Sequence, residues 1–147
     1  MRDFFLILLL TSTSVTYVSV KINTNCDYKI IADKKEFDDF YNTSDTKDIF
    51  IDLRDGKDYE TGHLSKFINI PYDGKAKAEE TILKFLDDNY SKENRFVLSC
   101  YSSKRASKAF MLLKKKGYKN IVVVNLTAEE LITGFNDIST GPCNCLE

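Results

Sequence analysis

Hydrophobic and polar positions alternate in blocks that change period along the chain. Tyr28-Lys29-Ile30-Ile31 predicts a short strand. Asp33 is placed to cap a helix from Lys34 to about Asn42, with Phe37, Phe40 and Tyr41 on one face. Asp48 to Leu53 is a nearly continuous apolar run, the pattern of a strand buried on both faces of a parallel sheet. A polar stretch from Arg54 to Thr61 reads as a loop, and Gly62-His63-Leu64 opens the next element. Phe67-Ile68-Asn69-Ile70 predicts another strand, closed by Pro71. Ala76 to Tyr90 has helical spacing with Ile82, Leu83, Phe85 and Leu86 as its apolar stripe. Phe96 to Ser99 predicts a strand, Lys104 to Lys116 a helix stopped at Gly117, and Ile121 to Val124 a β-branched strand. Thr127 is placed to cap a short helix from Ala128 to Thr133, and the tail from Gly134 onward reads as irregular.

Strands alternating with helices imply an α/β fold with a mostly parallel central sheet flanked by helices. In such sheets, binding sites form beyond the carboxyl ends of the strands. Arg54 and Cys100 both fall at such ends.

The N-terminus departs from this pattern. Phe4 to Val20 carries no charge, with an apolar core from Phe4 to Leu10. Residues 1–20 therefore read as a signal peptide or an N-terminal anchor, which places the protein outside the cytoplasm, periplasmic or secreted. The domain proper is expected over 27–135, with an irregular cysteine-containing tail over 136–147. Export permits disulfides. Of the four cysteines, Cys26 is then a candidate partner for Cys143 or Cys145, with one cysteine left over.

Composition narrows the possibilities. A chain of 147 residues builds one domain with a core of its own. The net charge of -1 gives no general case for nucleic acid. Lys114-Lys115-Lys116 complements the dipole of a helix end. Cys143-Asn144-Cys145 is too closely spaced for a zinc half-site, so no metal or other cofactor is expected.

The chemistry concentrates at Ser99-Cys100-Tyr101-Ser102-Ser103-Lys104-Arg105-Ala106. A thiol between a strand and a helix faces unpaired backbone N–H groups and the positive end of the helix dipole. Lys104 and Arg105 add positive charge, and all of these favour the nucleophilic thiolate. Cys100 is thus the candidate nucleophile. Tyr101, Ser102, Ser103, Lys104, Arg105 and Arg54 are candidates for holding an anionic substrate. His63, the sole histidine, follows a glycine in a turn and reads as a structural hydrogen-bonding group.

The order Asp52-Leu53-Arg54, Tyr59-Glu60-x-Gly62-His63-Leu64, Ile68-Asn69-Ile70-Pro71 and Cys100-x4-Arg105 resembles the rhodanese family of single-domain sulfurtransferases. The resemblance runs from Ile49 to Leu126. It implies the rhodanese fold, a persulfide carried by Cys100, a small anionic sulfur donor such as thiosulfate, and a thiol or cyanide acceptor. A monomer is expected, touching a membrane only through an uncleaved leader. Phosphatases of similar fold have one more residue between cysteine and arginine, and the shorter loop here suits a sulfur atom. Several positions depart from the family pattern: Ser103 stands where glycine is usual and Ala106 where serine is, and Asn125-Leu126-Thr127-Ala128 and Phe135 occupy the region where a Gly-Gly pair and a nearby Trp often follow the last strand. These leave a second possibility, a non-catalytic binding or sulfur-carrier module of the same fold.

Overall fold

The computed structural model describes residues 26–143, together with the backbone of Leu8–Thr11 (β1) and Ser14–Tyr17 (β2). These two short strands pair antiparallel. The remainder of the expected leader over 1–20 lies outside the described residues, as does the tail beyond 143. No helix among the described residues is long and apolar enough to cross a membrane.

The core is a five-stranded sheet built from Asp27–Ile31 (β3), Asp48–Asp52 (β4), Phe67–Asn69 (β6), Arg95–Ser99 (β7) and Asn120–Val124 (β8). Its order is β3-β8-β7-β4-β6, and every neighbouring pair is parallel. Alternation along the strands divides the core in two. Ile51, Leu53, Phe96, Leu98, Ile121 and Val123 face the helices Ala76–Asn89 (α3) and Lys104–Lys115 (α4). Phe50, Val97, Val122 and Val124 face Lys34–Thr43 (α1) and Ala128–Ile132 (α5) on the other side. Ile82 and Leu86 of α3 are fully buried, and each such side chain stabilises the fold by about 1.5–3 kcal/mol.

The helix ends follow the local chemistry. Asp33 accepts a hydrogen bond from the Glu36 amide at 2.8 Å. Thr127 and Glu130 form a reciprocal capping box at the start of α5. Gly117 ends α4 with φ +85°, a conformation that glycine adopts without a side-chain clash.

Three expectations are corrected. The polar stretch after β4 contains a short helix, Gly56–Thr61 (α2). Its one buried residue, Tyr59, packs into the α1 side of the core, so six residues carry too little periodicity to announce a helix. The tail contains Ile138–Ser139 (β9), which pairs antiparallel with His63–Leu64 (β5). Asp137, just before it, accepts from the Tyr41 hydroxyl at 2.7 Å and the Ser65 hydroxyl at 2.9 Å. Finally, Cys26 is a free thiol, whereas Cys143 is disulfide-bonded. Cys26 packs against the α3–α4 face and Cys143 against the α1–α5 face. The free Cys26 thiol overturns its expected pairing with Cys143 or Cys145, and the sheet stands between Cys26 and Cys143.

Candidate active site

Connections leave β4 and β7 in opposite directions. The chain passes from β4 toward the β6 edge and from β7 toward β8. Their carboxyl ends therefore flank the crevice where open α/β sheets bind ligands. Leu53 and Arg54 emerge on one side of it and Cys100 on the other. The Leu53 amide donates to the Ser99 carbonyl at 2.9 Å, which fixes the two loops side by side.

Cys100 is only 1% exposed, at the base of a short loop that rises into α4. Tyr101, Ser102 and Lys104 are exposed around it. Ser103 has φ 55° and ψ −11°, the only positive φ of a non-glycine among the described residues. A left-handed residue costs about 1–2 kcal/mol outside glycine, so the loop holds this turn against its intrinsic preference. The turn is braced by two bonds to the Ser102 carbonyl, from Ser103 Oγ at 2.7 Å and the Lys104 amide at 2.8 Å.

This geometry leaves donors free. The amides of Tyr101, Ser102, Ser103, Arg105 and Ala106 donate to no acceptor among the described residues. Successive N–H groups that bend through a left-handed residue into a helix start form a concave anion site. The Ser103 hydroxyl is spent on the loop's own backbone.

Arg105 serves the scaffold as well as the charge. Its Nη1 donates to the Leu53 carbonyl at 3.2 Å and lies 3.6 Å from Asp55 Oδ2. The same Leu53 carbonyl accepts the Tyr72 amide at 3.3 Å. One oxygen therefore joins the segments that follow β4 and β6 to the start of α4.

Arg54 is held by its own neighbours. It is buried, its Nε and Nη2 hold the Asp52 carboxylate at 2.7–3.1 Å, and Nη2 also donates to the Gly62 carbonyl at 2.9 Å. These donors are committed to joining β4 to the turn before β5. His63 lies in the same region, with Nδ1 2.8 Å from the Tyr59 carbonyl and its ring stacked on Tyr59 at 3.5 Å. Burial, then the nearby Asp52 carboxylate, pushes the Tyr59 phenol up to about 12. Asp52, Arg54 and His63 border a cavity of about 10 Å³, room for one water-sized group.

Two residues of this scaffold were not singled out from the sequence. Asn69 Nδ2 donates to the Asp52 carbonyl at 3.0 Å and the Arg54 carbonyl at 2.9 Å, clamping the ends of β4 and β6. Asp52 orients Arg54. Both stand inside the motifs quoted above, and an asparagine closing an apolar strand before proline was the available signal. Among the described residues no cluster could hold a metal ion.

The fold has known counterparts. The fold matches a rhodanese-like domain of Anabaena sp. with a TM-score of 0.60 and 14% identity, over 76% of this chain and 79% of that one. It matches a rhodanese-like domain protein of Staphylococcus aureus with a TM-score of 0.59 and 18% identity, over 77% of this chain and 98% of that one. In sequence, the chain is 31% identical over 100 residues to the "Putative thiosulfate sulfurtransferase, mitochondrial" of Schizosaccharomyces pombe, covering 58% of this chain and 68% of that protein. It is 29% identical over 77 residues to the tRNA uridine(34) hydroxylase of Sodalis glossinidius, covering 52% of this chain. It spans only 21% of that hydroxylase's length. A family model for the rhodanese-like domain matches residues 34–128, and on that match the chain belongs to the rhodanese-like domain family.

Proposed function

We propose that the protein is a sulfurtransferase that carries sulfane sulfur on Cys100. The observation that carries this reading is the run of uncommitted amides that follows a buried thiol into a helix start. The Cys100 thiolate attacks the outer sulfur of thiosulfate or a similar donor. The donor's S–S bond breaks and sulfite leaves with the electron pair. The amides and the helix dipole hold the anionic outer sulfur of the resulting persulfide. Lys104 and Arg105 draw the donor in. A thiol or cyanide then attacks the outer sulfur, and the Cys100 thiolate is regenerated in a ping-pong cycle.

The four-residue spacing between Cys100 and Arg105 supports sulfur rather than phosphoryl transfer. The charge-free run from Phe4 to Val20 supports export, which N-terminal sequencing of the native protein tests. The rival reading, a binding or sulfur-carrier module without turnover, is favoured by the strained Ser103. Intact-mass measurement after thiosulfate treatment separates a pure binding module from the others, and repeated release of thiocyanate on adding cyanide with excess thiosulfate separates turnover from carriage. An enzyme gains one sulfur on Cys100 that cyanide removes, and Cys100→Ala gains none. A wild-type chain that stays unmodified with a free Cys100 thiol rejects the transferase.

A further inference from the structure

Helix α4, which begins at the Cys100 loop, carries a cation that the scheme above does not use. Lys108 lies one helical turn beyond Lys104 on α4, and both are exposed. Neither forms an ion pair among the described residues. Arg105, by contrast, faces the Asp55 carboxylate and the Leu53 carbonyl.

Lys108 does not project freely from its helix. Its stem crosses to the segment after β6 and rests on Gly74. A Cβ on Gly74 would meet Lys108 Cδ at 3.2 Å and Nζ at 3.5 Å. Gly74 has φ +81°, so glycine supplies both the turn and the space. Gly74 stands two residues beyond Tyr72, which is bonded to the same Leu53 carbonyl as Arg105. The segment on which Lys108 rests is thereby tied through the Leu53 carbonyl to Arg105, at the start of the helix that follows Cys100.

Thiosulfate and cyanide are too small to need such a group. The thiol acceptor is the larger reactant. Lys104 and Lys108 are separated by about 6 Å along the helix axis, a spacing that suits an acceptor whose anionic groups lie several bonds from its sulfur.

We propose that Lys108 is a specificity-determining residue that selects a thiol acceptor bearing carboxylates over a neutral one. The proposal rests on the Cys100 persulfide reading. In the step concerned, the acceptor thiolate forms a bond to the outer sulfur, the bond between that sulfur and Cys100 Sγ breaks, and the electron pair stays on Cys100. The acceptor leaves as a persulfide. Lys108 takes no part in the bond exchange and acts on the acceptor's distant charge.

The test is single-turnover discharge of the thiosulfate-loaded protein by mercaptosuccinate, a dicarboxylate thiol, and by the neutral 2-mercaptoethanol. Lys108→Ala should slow second-order discharge by mercaptosuccinate about threefold at low salt, the effect of one charge about 6 Å away in water. Discharge by 2-mercaptoethanol should not change. Lys108→Arg should restore the preference, and high salt should erase it. Equal rates for wild type and Lys108→Ala with mercaptosuccinate, or an equal loss with both thiols, would overturn the proposal. Failure of the wild-type chain to load sulfur removes the persulfide reading and this one with it. Loading without discrimination removes only the role of Lys108.

Discussion

Arg105 Nη1 donates to the Leu53 carbonyl across the crevice, at 3.2 Å. The residue that supplies positive charge beside the thiol therefore also fixes the loop that carries it. Arg105→Gln should lower the rate of sulfur loading more than removal of a remote charge would. It should also destabilise the fold by about 1 kcal/mol, the value of one ordinary hydrogen bond. Urea unfolding and intact-mass time courses measure the two effects. Asp55→Asn is the control, because Asp55 is 73% exposed and its pair with Arg105 spans 3.6 Å. It should leave stability nearly unchanged.

Ser103→Gly should be tolerated and mildly stabilising. Glycine removes the left-handed penalty of about 1–2 kcal/mol and returns about 0.5–1 kcal/mol through greater freedom of the unfolded chain. The net gain in urea is then about 1 kcal/mol or less, with sulfur loading equal to or faster than in the wild type. A large loss of loading would show that the Ser103 hydroxyl does more than brace the Ser102 carbonyl.

Asp52→Ala should be among the most damaging single changes. It strands the Arg54 guanidinium, which is 6% exposed, without its carboxylate. Breaking one side of a buried ion pair costs about 3–5 kcal/mol. Reduced thermal stability should be accompanied by loss of the bond from Arg54 to the Gly62 carbonyl, seen as faster amide exchange around Gly62 to Leu64.

Stability should fall in alkali. Tyr41 and Tyr59 are both raised from 10 to about 12, chiefly by burial. For Tyr41, the second cause is its bond to Asp137, and for Tyr59 the charge of Asp52. The neutral phenol is the form the fold favours. Its contribution is complete below pH 10 and is lost as pH rises toward about 12. Phenolate absorbance from these residues should appear together with unfolding. Ionisation of both in a chain that keeps its native circular dichroism would count against their burial.

Much of the site was legible because its signals are local. Cys100 between an apolar run and a helical stripe, and the four-residue spacing to Arg105, depend on short stretches of sequence. The strands also declared themselves, since β4, β7 and β8 are apolar on both faces. Arg54 was placed correctly at a strand end, yet the direction of its side chain depends on Asp52 and Gly62, and sequence position does not encode orientation. The α2 helix escaped notice because only Tyr59 is buried. β9 escaped because its two residues are held by pairing with β5, a partner more than 70 positions away. The Cys26 pairing failed because it needed to know which face of the sheet each end of the chain would meet.

The near-complete burial of Cys100 has a consequence for timing. The bare thiol is buried, whereas on the proposed persulfide chemistry a transferred sulfur would stand about 2 Å farther out. Reach, rather than intrinsic reactivity, then separates the two states. Empty, the thiol is shielded from bulky oxidants and from stray disulfide exchange; charged as proposed, it would offer its cargo to whatever thiol can enter the crevice.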